Sequence, residues 1–306
     1  MKYLIIGAGG TGGSLAAAMP ETGLDVTVAA RGAHLAAIRE KGLAMETAKR
    51  GNYTVYPVSA CTLEEYEGSA DIIFLCVKGY SVDEVLPFVK SIAHGKTIVI
   101  PLLNIYGLGG KLQERLDGIR VTDGCMYIAA EIKSPGVILL KGDIARVVFG
   151  TREGAAFCPE LTEVAFDLEK SGIETVLSSN IRRDAFRKYT FVSAMAACGQ
   201  FYDIDAGKMQ TEGEERDTFI SLVRELETIA AAMGINFGAD ITSVNLKILD
   251  NLSPSASTSM QRDIRSGKPS EIDGLLFEVL RMGKKHNVET PTYEKIAAAL
   301  SSKLSL

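Results

Sequence analysis

Histidines and cysteines are scarce in this 306-residue chain, and their scarcity limits the chemistry that it can perform. The three histidines, His34, His94 and His286, do not have the spacing of metal ligands, so we predict no metal site. They also form no pattern with serine and aspartate that suggests a hydrolytic triad. The five cysteines are an odd number without CxxC spacing. This predicts reduced, mostly buried thiols of an intracellular, cytoplasmic protein.

The chain also lacks an excess of positive charge, since its formal net charge is −5. This charge balance indicates no basic surface that would attract nucleic acid or an anionic membrane, and we predict neither as a partner. The apolar N-terminus has no basic segment and is soon broken by glycines, so we expect neither a signal peptide nor a membrane span. The composition, with 46% hydrophobic and 23% charged residues, indicates a globular protein.

A glycine-rich turn follows the first predicted strand, Tyr3 to Ile6, and precedes a helix of small residues. Strand, glycine turn and helix are the context that the GxGxxG dinucleotide fingerprint requires. The three glycines permit the turn, the approach of the pyrophosphate to the backbone, and the packing of helix on strand. The alternative is a glycine turn that binds nothing. We predict a dinucleotide site formed by Gly7, Ala8, Gly9, Gly10, Thr11 and Gly12.

The second predicted strand, in the segment LDVTVAAR, ends without the acidic residue that an NAD site places there. Arg31 stands at this end instead. A guanidinium can bind the 2'-phosphate of NADP(H) through two hydrogen bonds. The sequence therefore favours NADP(H) over NAD(H), with an ordinary surface arginine as the alternative.

Polar residues follow two further predicted strands, each of which is a continuous apolar run typical of a parallel sheet. Lys78 closes ADIIFLCVK, and Asn104 closes KTIVIPLLN. Ligands of open α/β sheets bind beyond the carboxyl ends of the strands. We therefore predict that both residues belong to the site. Two later segments, VILLKGD and ARVVFGT, alternate like antiparallel strands.

From about residue 180 the hydrophobic periodicity is helical. We predict an α/β Rossmann-like dinucleotide-binding domain over residues 1–178 and an all-α substrate and catalytic domain over residues 179–306. Lys188 lies where a charged segment becomes apolar, and a buried lysine is costly unless it is paired. Glu271 is expected in the first turn of a later helix, where the helix dipole favours a carboxylate that can hold an ammonium. The alternative for Lys188 is a side chain that extends to solvent at the start of a helix.

The chain resembles the ketopantoate reductase family (2-dehydropantoate 2-reductases) over nearly its full length. The matching segments are GAGGTGG, AAR, CVKGY, the asparagine of LLNIYG, FRKYTF and TSMQRDIRSGKPSEID. This resemblance implies a two-domain enzyme that reduces a 2-oxo acid, ketopantoate, to pantoate with NADPH in pantothenate biosynthesis. A homodimer is compatible with it, although the sequence does not determine the oligomeric state.

The resemblance also implies roles for individual residues. Lys188 corresponds to the general acid that protonates the carbonyl oxygen. Glu271 corresponds to the carboxylate that orients this lysine, meets the new hydroxyl and lies against the cofactor. Asn104 and Lys78 correspond to residues that place cofactor and substrate, and Ser259 to a ligand of the substrate carboxylate. The glycine turn and Arg31 correspond to the NADPH site.

One part of the family pattern is changed. The family carries asparagines four and eight residues after the lysine, where they contact polar groups of the substrate. This chain has Val192 and Ala196 instead. A different 2-oxo acid, or an opine-type imine, is therefore an alternative substrate. A NADP(H)-binding sensor without catalysis is a second alternative. The joint presence of four predicted site residues argues against it: Lys188, Asn104, Ser259 and Glu271.

Overall fold

The computed structural model describes residues 1–47, 51–156 and 158–304. The chain forms two compact units. The first unit comprises Met1–Leu103 and Gly107–Arg182, and the second comprises Asn104–Tyr106 and Arg183–Leu306. The short segment Asn104–Tyr106 therefore belongs structurally with the C-terminal part of the chain.

The first unit is an α/β structure, as predicted. Its strands in chain order are β1 (Lys2–Ile6), β2 (Asp25–Ala29), β3 (Leu43–Thr47), β4 (Tyr53–Val55), β5 (Ala60–Cys61), β6 (Ile72–Leu75), β7 (Ile98–Pro101), β8 (Arg120–Val121), β9 (Asp123–Ser134), β10 (Val137–Gly150) and β11 (Glu174–Leu177). Its helices are α1 (Gly10–Ala18), α2 (Gly32–Lys41), α3 (Val82–Ile92), α4 (Leu108–Arg115) and α5 (Glu160–Lys170).

The first sheet is parallel throughout, with the strand order β5-β2-β1-β6-β7-β8. Every residue of β6 and of β7 is buried, as the continuous apolar runs predict for strands covered on both faces. The chain moves outward from β1 in both directions, so the order reverses between β1 and β6. Ligands of such sheets bind at the carboxyl ends of the strands beside this reversal.

The second sheet has the order β11-β10-β3-β4, and β9 pairs with β10. The segments VILLKGD and ARVVFGT, predicted to be antiparallel strands, are two parts of the single strand β10. The antiparallel partner of β10 is β9, with a register shift between the pairs of Leu140 and Ala145. Alternation in sequence indicates a half-buried strand, but it does not identify the partner strand, and a bulge can resemble a turn.

The second unit is helical, as predicted. Its helices are α6 (Ile181–Tyr202), which begins just before the unit does, α7 (Ala206–Met209), α8 (Glu214–Ala232), α9 (Ile241–Asp250), α10 (Ser259–Arg265), α11 (Glu278–His286) and α12 (Pro291–Leu304), with a π-helical segment, Asp273–Phe277, before α11. Helix α6 is buried along most of its length beyond Lys188, which makes it the central helix of the unit. In the described parts of the chain, every helix falls short of the length or the apolarity needed to cross a bilayer.

Candidate active site

The glycine turn lies at the carboxyl end of β1, beside the reversal of strand order. Gly7 has a left-handed backbone, with φ +102°, and a Cβ atom there would come within 3.0 Å of the backbone of Cys76. The Gly7 amide donates to the carbonyl of Ala29 at the end of β2, at 3.0 Å. The turn is thus held between the ends of β2 and β6, and only glycine suits its first position.

Gly12 packs the helix on the turn as the fingerprint predicts, and Gly9 lies beside open space. A Cβ atom on Gly12 would lie 1.9 Å from the Gly7 carbonyl oxygen, so only glycine lets α1 pack this closely on the turn. Gly9 is the N-cap of α1, and a Cβ atom there would meet nothing within 4 Å. The first amides of a helix have no partner within the helix. Open space beside these amides suits the pyrophosphate of a dinucleotide, so the residues present fit this cofactor.

The other residues of the turn are held from the side of the second sheet. A Cβ atom on Gly10 would lie 2.3 Å from the carbonyl oxygen of Ala130 in β9. The carbonyl oxygen of the buried Ala8 accepts a hydrogen bond from His34 Nε2 at 2.9 Å. Thr11 is half-buried in the first turn of α1. Sequence analysis considered His34 only as a metal ligand or as a member of a hydrolytic triad, and did not connect it with this turn.

Arg31 is the N-cap of α2, two residues beyond the end of β2. Its side chain is 86% exposed, and its nearest ion pair is a loose one of 4.0 Å with Glu84 in α3. An exposed pair of this kind is worth about 0–1 kcal/mol. The guanidinium can therefore give up this ion pair and bind an anion with more charge at little cost in free energy.

Lys78 follows β6 by three residues and is half-buried. Its backbone is extended, and its carbonyl oxygen accepts from the Ser81 amide at 2.9 Å, where a short 3-10 turn leads into α3. The lysine thus stands at the carboxyl end of a strand neighbouring β1. This is the edge of the sheet to which the glycine turn belongs.

Lys188 and Asn104 form the polar centre of the second unit. The lysine is only 8% exposed, and its Nζ donates to Asn104 Oδ1 at 2.6 Å. The amide oxygen of Asn104 carries a partial negative charge and accepts a hydrogen bond, but it is too weak a base to take the proton from the ammonium. It therefore orients the ammonium while leaving its protons on the lysine. Sequence analysis predicted both residues for the site, and the structure joins them directly.

The segment Asn104–Tyr106 is anchored to the helices of the second unit by its two apolar residues. The Tyr106 ring packs edge-on against Phe186, with 4.5 Å between ring centroids. Ile105 lies against Gly274, where a Cβ atom would come within 2.5 Å of Ile105 Cγ1. Glycine at position 274 therefore lets the segment approach closely enough for Asn104 to reach Lys188.

Glu271 is 5% exposed and immediately precedes the helical turn that begins at Ile272. The prediction placed it in the first turn; its carbonyl oxygen accepts from the Leu275 amide at 3.0 Å, so it stands at the boundary of that turn. The backbone then widens into the π-helical segment Asp273–Phe277. Single π-helical turns are rare in proteins and occur often at functional sites.

Two side chains of α6 bind carbonyl groups of this π-helical segment. Tyr189 OH donates to the Gly274 carbonyl oxygen at 2.7 Å, and Ser193 Oγ donates to that of Leu275 at 2.7 Å. Burial raises the pKa of the Tyr189 hydroxyl, which keeps it a donor. The two bonds tie the residue next to Lys188 to the segment that follows Glu271. Sequence analysis missed both residues, because a tyrosine and a serine in a buried helix have no distinctive pattern.

Ser259 is the first residue of α10 and is half-buried. The helix begins with a capping box, in which Thr258 Oγ1 accepts from the Gln261 amide and Gln261 Oε1 accepts from the Thr258 amide. This box determines where the helix begins and so the position of Ser259. The sequence signal was present, since TSMQ has the S/T-x-x-E/Q spacing, but it was not used.

The face of α6 beyond Lys188 is apolar. Val192 is half-buried, and Met195 and Ala196 are buried among the hydrophobic residues of the second unit. The two substituted positions of the family pattern therefore lie on the lysine's own helix and present no hydrogen-bonding groups. Chemically, the second unit supplies an oriented ammonium, a buried carboxylate and an apolar surface.

Family models match both parts of the chain. Residues 3–154 match the model described as ketopantoate reductase PanE/ApbA. Residues 180–303 match the model of the C-terminal part, described as ketopantoate reductase PanE/ApbA C terminal. Together the two matches cover most of the chain, including the glycine turn in the first and Lys188, Ser259 and Glu271 in the second.

Individual relatives extend over the same length. An uncharacterized oxidoreductase of Bacillus subtilis, YkpB, is 28% identical over 98% of this chain and 98% of its own. A 2-dehydropantoate 2-reductase of Pyrococcus horikoshii is 28% identical over 100% of this chain and 98% of its own. Among solved structures, a D-mandelate dehydrogenase with NADH and anilino(oxo)acetate has a TM-score of 0.88 at 22% identity, and covers 99% of this chain and 98% of its own. This last likeness concerns the fold.

Proposed function

Since this chain belongs to the ketopantoate reductase family and is an NAD(P)-dependent oxidoreductase that acts on CH–OH groups, we propose that it reduces a 2-oxo acid to a 2-hydroxy acid with NADPH. Ketopantoate, reduced to pantoate in pantothenate biosynthesis, is the first candidate substrate. Residues 1–178 would bind the cofactor, and residues 179–306 would supply the substrate-binding and catalytic groups.

The observation that carries this proposal is the buried, oriented ammonium of Lys188, whose Nζ lies 2.6 Å from Asn104 Oδ1. Bound NADPH supplies a hydride to the carbonyl carbon of the substrate. The carbonyl oxygen then gains negative charge and needs a proton. An ammonium held at 8% exposure can stabilise this charge and donate the proton.

The remaining residues have complementary roles in this proposal. The Glu271 carboxylate compensates the lysine charge, accepts from the new hydroxyl and borders the cofactor. The Ser259 hydroxyl, at the start of α10, binds the substrate carboxylate. Lys78, at the end of β6, provides a second cation for the anionic substrate and cofactor. Asn104 orients Lys188 and contacts the cofactor.

The preference for NADPH rests on Arg31. Its exposed guanidinium is available to a 2'-phosphate, and the end of β2 has no acidic residue to bind the ribose hydroxyls. NADH is the competing cofactor, since the D-mandelate dehydrogenase of similar fold is described with NADH. Dissociation constants for both nucleotides distinguish the two.

A second candidate substrate class is favoured by the apolar face of α6. Ketopantoate carries a hydroxyl, and Val192 and Ala196 offer it no hydrogen bond. An unpaired polar group costs about 1–3 kcal/mol, and roughly 1.4 kcal/mol is a factor of ten in affinity. Two missing partners would lower kcat/KM for ketopantoate by about a hundredfold by this arithmetic. A 2-oxo acid with an apolar side chain would not lose these bonds. The mandelate activity named for a protein of this fold is in line with such a substrate.

The test is a substrate panel with purified protein, following the loss of NADPH absorbance. The panel contains ketopantoate, 2-oxo acids with branched aliphatic and phenyl side chains, and mixtures of a 2-oxo acid with an amino acid. Highest kcat/KM with ketopantoate supports the first candidate, and highest kcat/KM with an apolar 2-oxo acid supports the second. Activity only with an amino acid present would indicate an opine-type imine. Tight NADPH binding without turnover of any compound would contradict the proposal and favour a sensor.

A further inference from the structure

The imidazole of His34 binds two backbone groups that are far apart in sequence. Its Nδ1 accepts from the Gly136 amide at 2.9 Å, and its Nε2 lies 2.9 Å from the Ala8 carbonyl oxygen. An amide N–H can only donate, so Nδ1 must carry the lone pair. The hydrogen is therefore on Nε2, which donates to Ala8. Only the neutral Nε2–H tautomer can make both bonds.

The two groups belong to the glycine turn and to the turn between β9 and β10. The second turn is itself held firmly, because the Gly136 carbonyl oxygen accepts from the Ala44 amide of β3 at 2.8 Å. Gly136 has a left-handed backbone, and a Cβ atom on it would lie 3.0 Å from that of Ala37 in α2. His34 is in the first turn of the same helix. The imidazole therefore links the glycine turn to a rigid support.

We propose that His34 is a positioning residue for the dinucleotide, which holds the Ala8 carbonyl so that the amides of the glycine turn face the pyrophosphate. A peptide plane that turns its carbonyl oxygen toward a phosphate presents a partial negative charge to an anion. The bond to His34 fixes the plane in the opposite sense, since the oxygen is occupied by Nε2–H. This inference rests on the proposed location of the dinucleotide at the turn, and it does not depend on the substrate.

A second contact supports the same function. The β9–β10 hairpin contacts the start of α1 directly. A Cβ atom on Gly10 would lie 2.3 Å from the Ala130 carbonyl oxygen, and one on Gly13 would lie 2.8 Å from Ile138 Cδ1. The glycine turn is thus supported by packing on one side and by His34 on the other. Packing limits the space of the turn, whereas the hydrogen bond from His34 orients the Ala8 carbonyl.

Two substitutions separate the two bonds of the imidazole. In His34→Gln, the amide nitrogen can reach the position of Nε2 and donate to Ala8. In His34→Asn, the shorter amide can reach the position of Nδ1 and accept from Gly136, but not donate to Ala8. We expect His34→Gln to keep NADPH affinity within about threefold, and His34→Asn to weaken it roughly tenfold or more, as loss of an oriented polar contact predicts. His94→Gln, which changes a histidine of the same unit bonded to Lys96 and Asp71, is the matched control and should bind NADPH normally.

The measurements are the dissociation constant of NADPH, the thermal unfolding of each variant, and the ¹⁵N chemical shifts of the His34 ring. Turnover, once a substrate is known, should show a raised KM for NADPH in His34→Asn with kcat nearly unchanged.

Normal NADPH affinity in His34→Asn, or an Nδ1–H tautomer in the wild type, would overturn the inference. Equal weakening in both variants in proportion to lost thermal stability would also overturn it, because that result indicates a purely structural role. If the wild-type protein binds neither NADPH nor NADH, the proposed function fails as well; if it binds NADPH and His34→Asn does too, only the role of His34 is refuted.

Discussion

Replacement of Lys188 by methionine should abolish turnover while leaving the protein folded. Methionine keeps an unbranched apolar stem in the buried position and removes the ammonium. The loss of a general acid typically lowers kcat by about a hundred- to ten-thousandfold. NADPH affinity should change little, because the glycine turn and Arg31 are not altered.

The expected stability follows from two opposing contributions. A hydrogen bond from a charged donor, such as that of Nζ to Asn104 Oδ1 at 2.6 Å, contributes about 1.5–3 kcal/mol. Burying an ammonium until it is only 8% exposed costs several kcal/mol, which equals or exceeds the contribution of the hydrogen bond. These two contributions offset one another in part, but the substitution also leaves the buried Glu271 without the positive charge that it compensates in the proposed function. Because breaking a buried pair costs about 3–5 kcal/mol, we expect the free energy of unfolding to fall by up to about that amount.

The assay combines steady-state and single-turnover reduction with urea unfolding of both proteins. Lys247→Met, which changes an exposed lysine of α9 in the same unit, is the matched control and should retain full activity. A loss of less than tenfold in kcat would show that Lys188 is not the acid. A fall of more than about 5 kcal/mol in the free energy of unfolding would exceed the cost of breaking a buried pair and would show that the lysine is mainly structural.

Three further predictions concern the residues around the site. Arg31→Ala should weaken NADPH binding roughly tenfold or more and NADH binding hardly at all; equal effects on the two dissociation constants would exclude a role with the 2'-phosphate. Tyr189→Phe should lower the free energy of unfolding by about 1–3 kcal/mol, since it leaves the buried Gly274 carbonyl oxygen without its donor, and should also lower kcat; urea unfolding with no measurable change would contradict this bond. His34 has a pKa lowered from 6.5 by burial, so the unfolded chain binds a proton first as the pH falls. Stability should therefore be lost as the pH falls from about 6.5 toward the lower folded-state pKa. Thermal unfolding of His34→Gln over the same range should be flatter, and parallel curves for the two proteins would refute the assignment.

Local patterns in the sequence were sufficient for the first strand, the glycine turn and the helical second half. Gly7, Gly9 and Gly12 are close together in sequence, and Gly7 and Gly12 each have a steric requirement that only a glycine meets. The continuous apolar runs of β6 and β7 likewise predict strands that are buried on both faces of the sheet. Lys188 was conspicuous because an isolated charge entering an apolar helix is energetically unusual.

The partner of β10 could not be predicted from the sequence, for a related physical reason. Alternation along a strand reports which face is buried, whereas pairing depends on residues elsewhere in the chain. The capping box before Ser259 was in principle readable, since its two residues are only three positions apart.

Tertiary structure decided what each polar group touches. Lys188 and Asn104 are 84 positions apart, Tyr189 and Gly274 are 85 apart, and His34 and Gly136 are 102 apart. Periodicity and spacing arise from the local geometry of helices and strands, so they cannot encode hydrogen bonds between such distant residues. The sequence by itself therefore determined the kind of fold, the glycine turn and the residues that could do chemistry. Only the packed chain decided that Asn104 orients the ammonium, that Tyr189 and Ser193 hold the segment after Glu271, and that His34 holds the carbonyl of Ala8. Each of these hydrogen bonds requires polar atoms of two residues that are far apart in sequence to be brought within 3 Å.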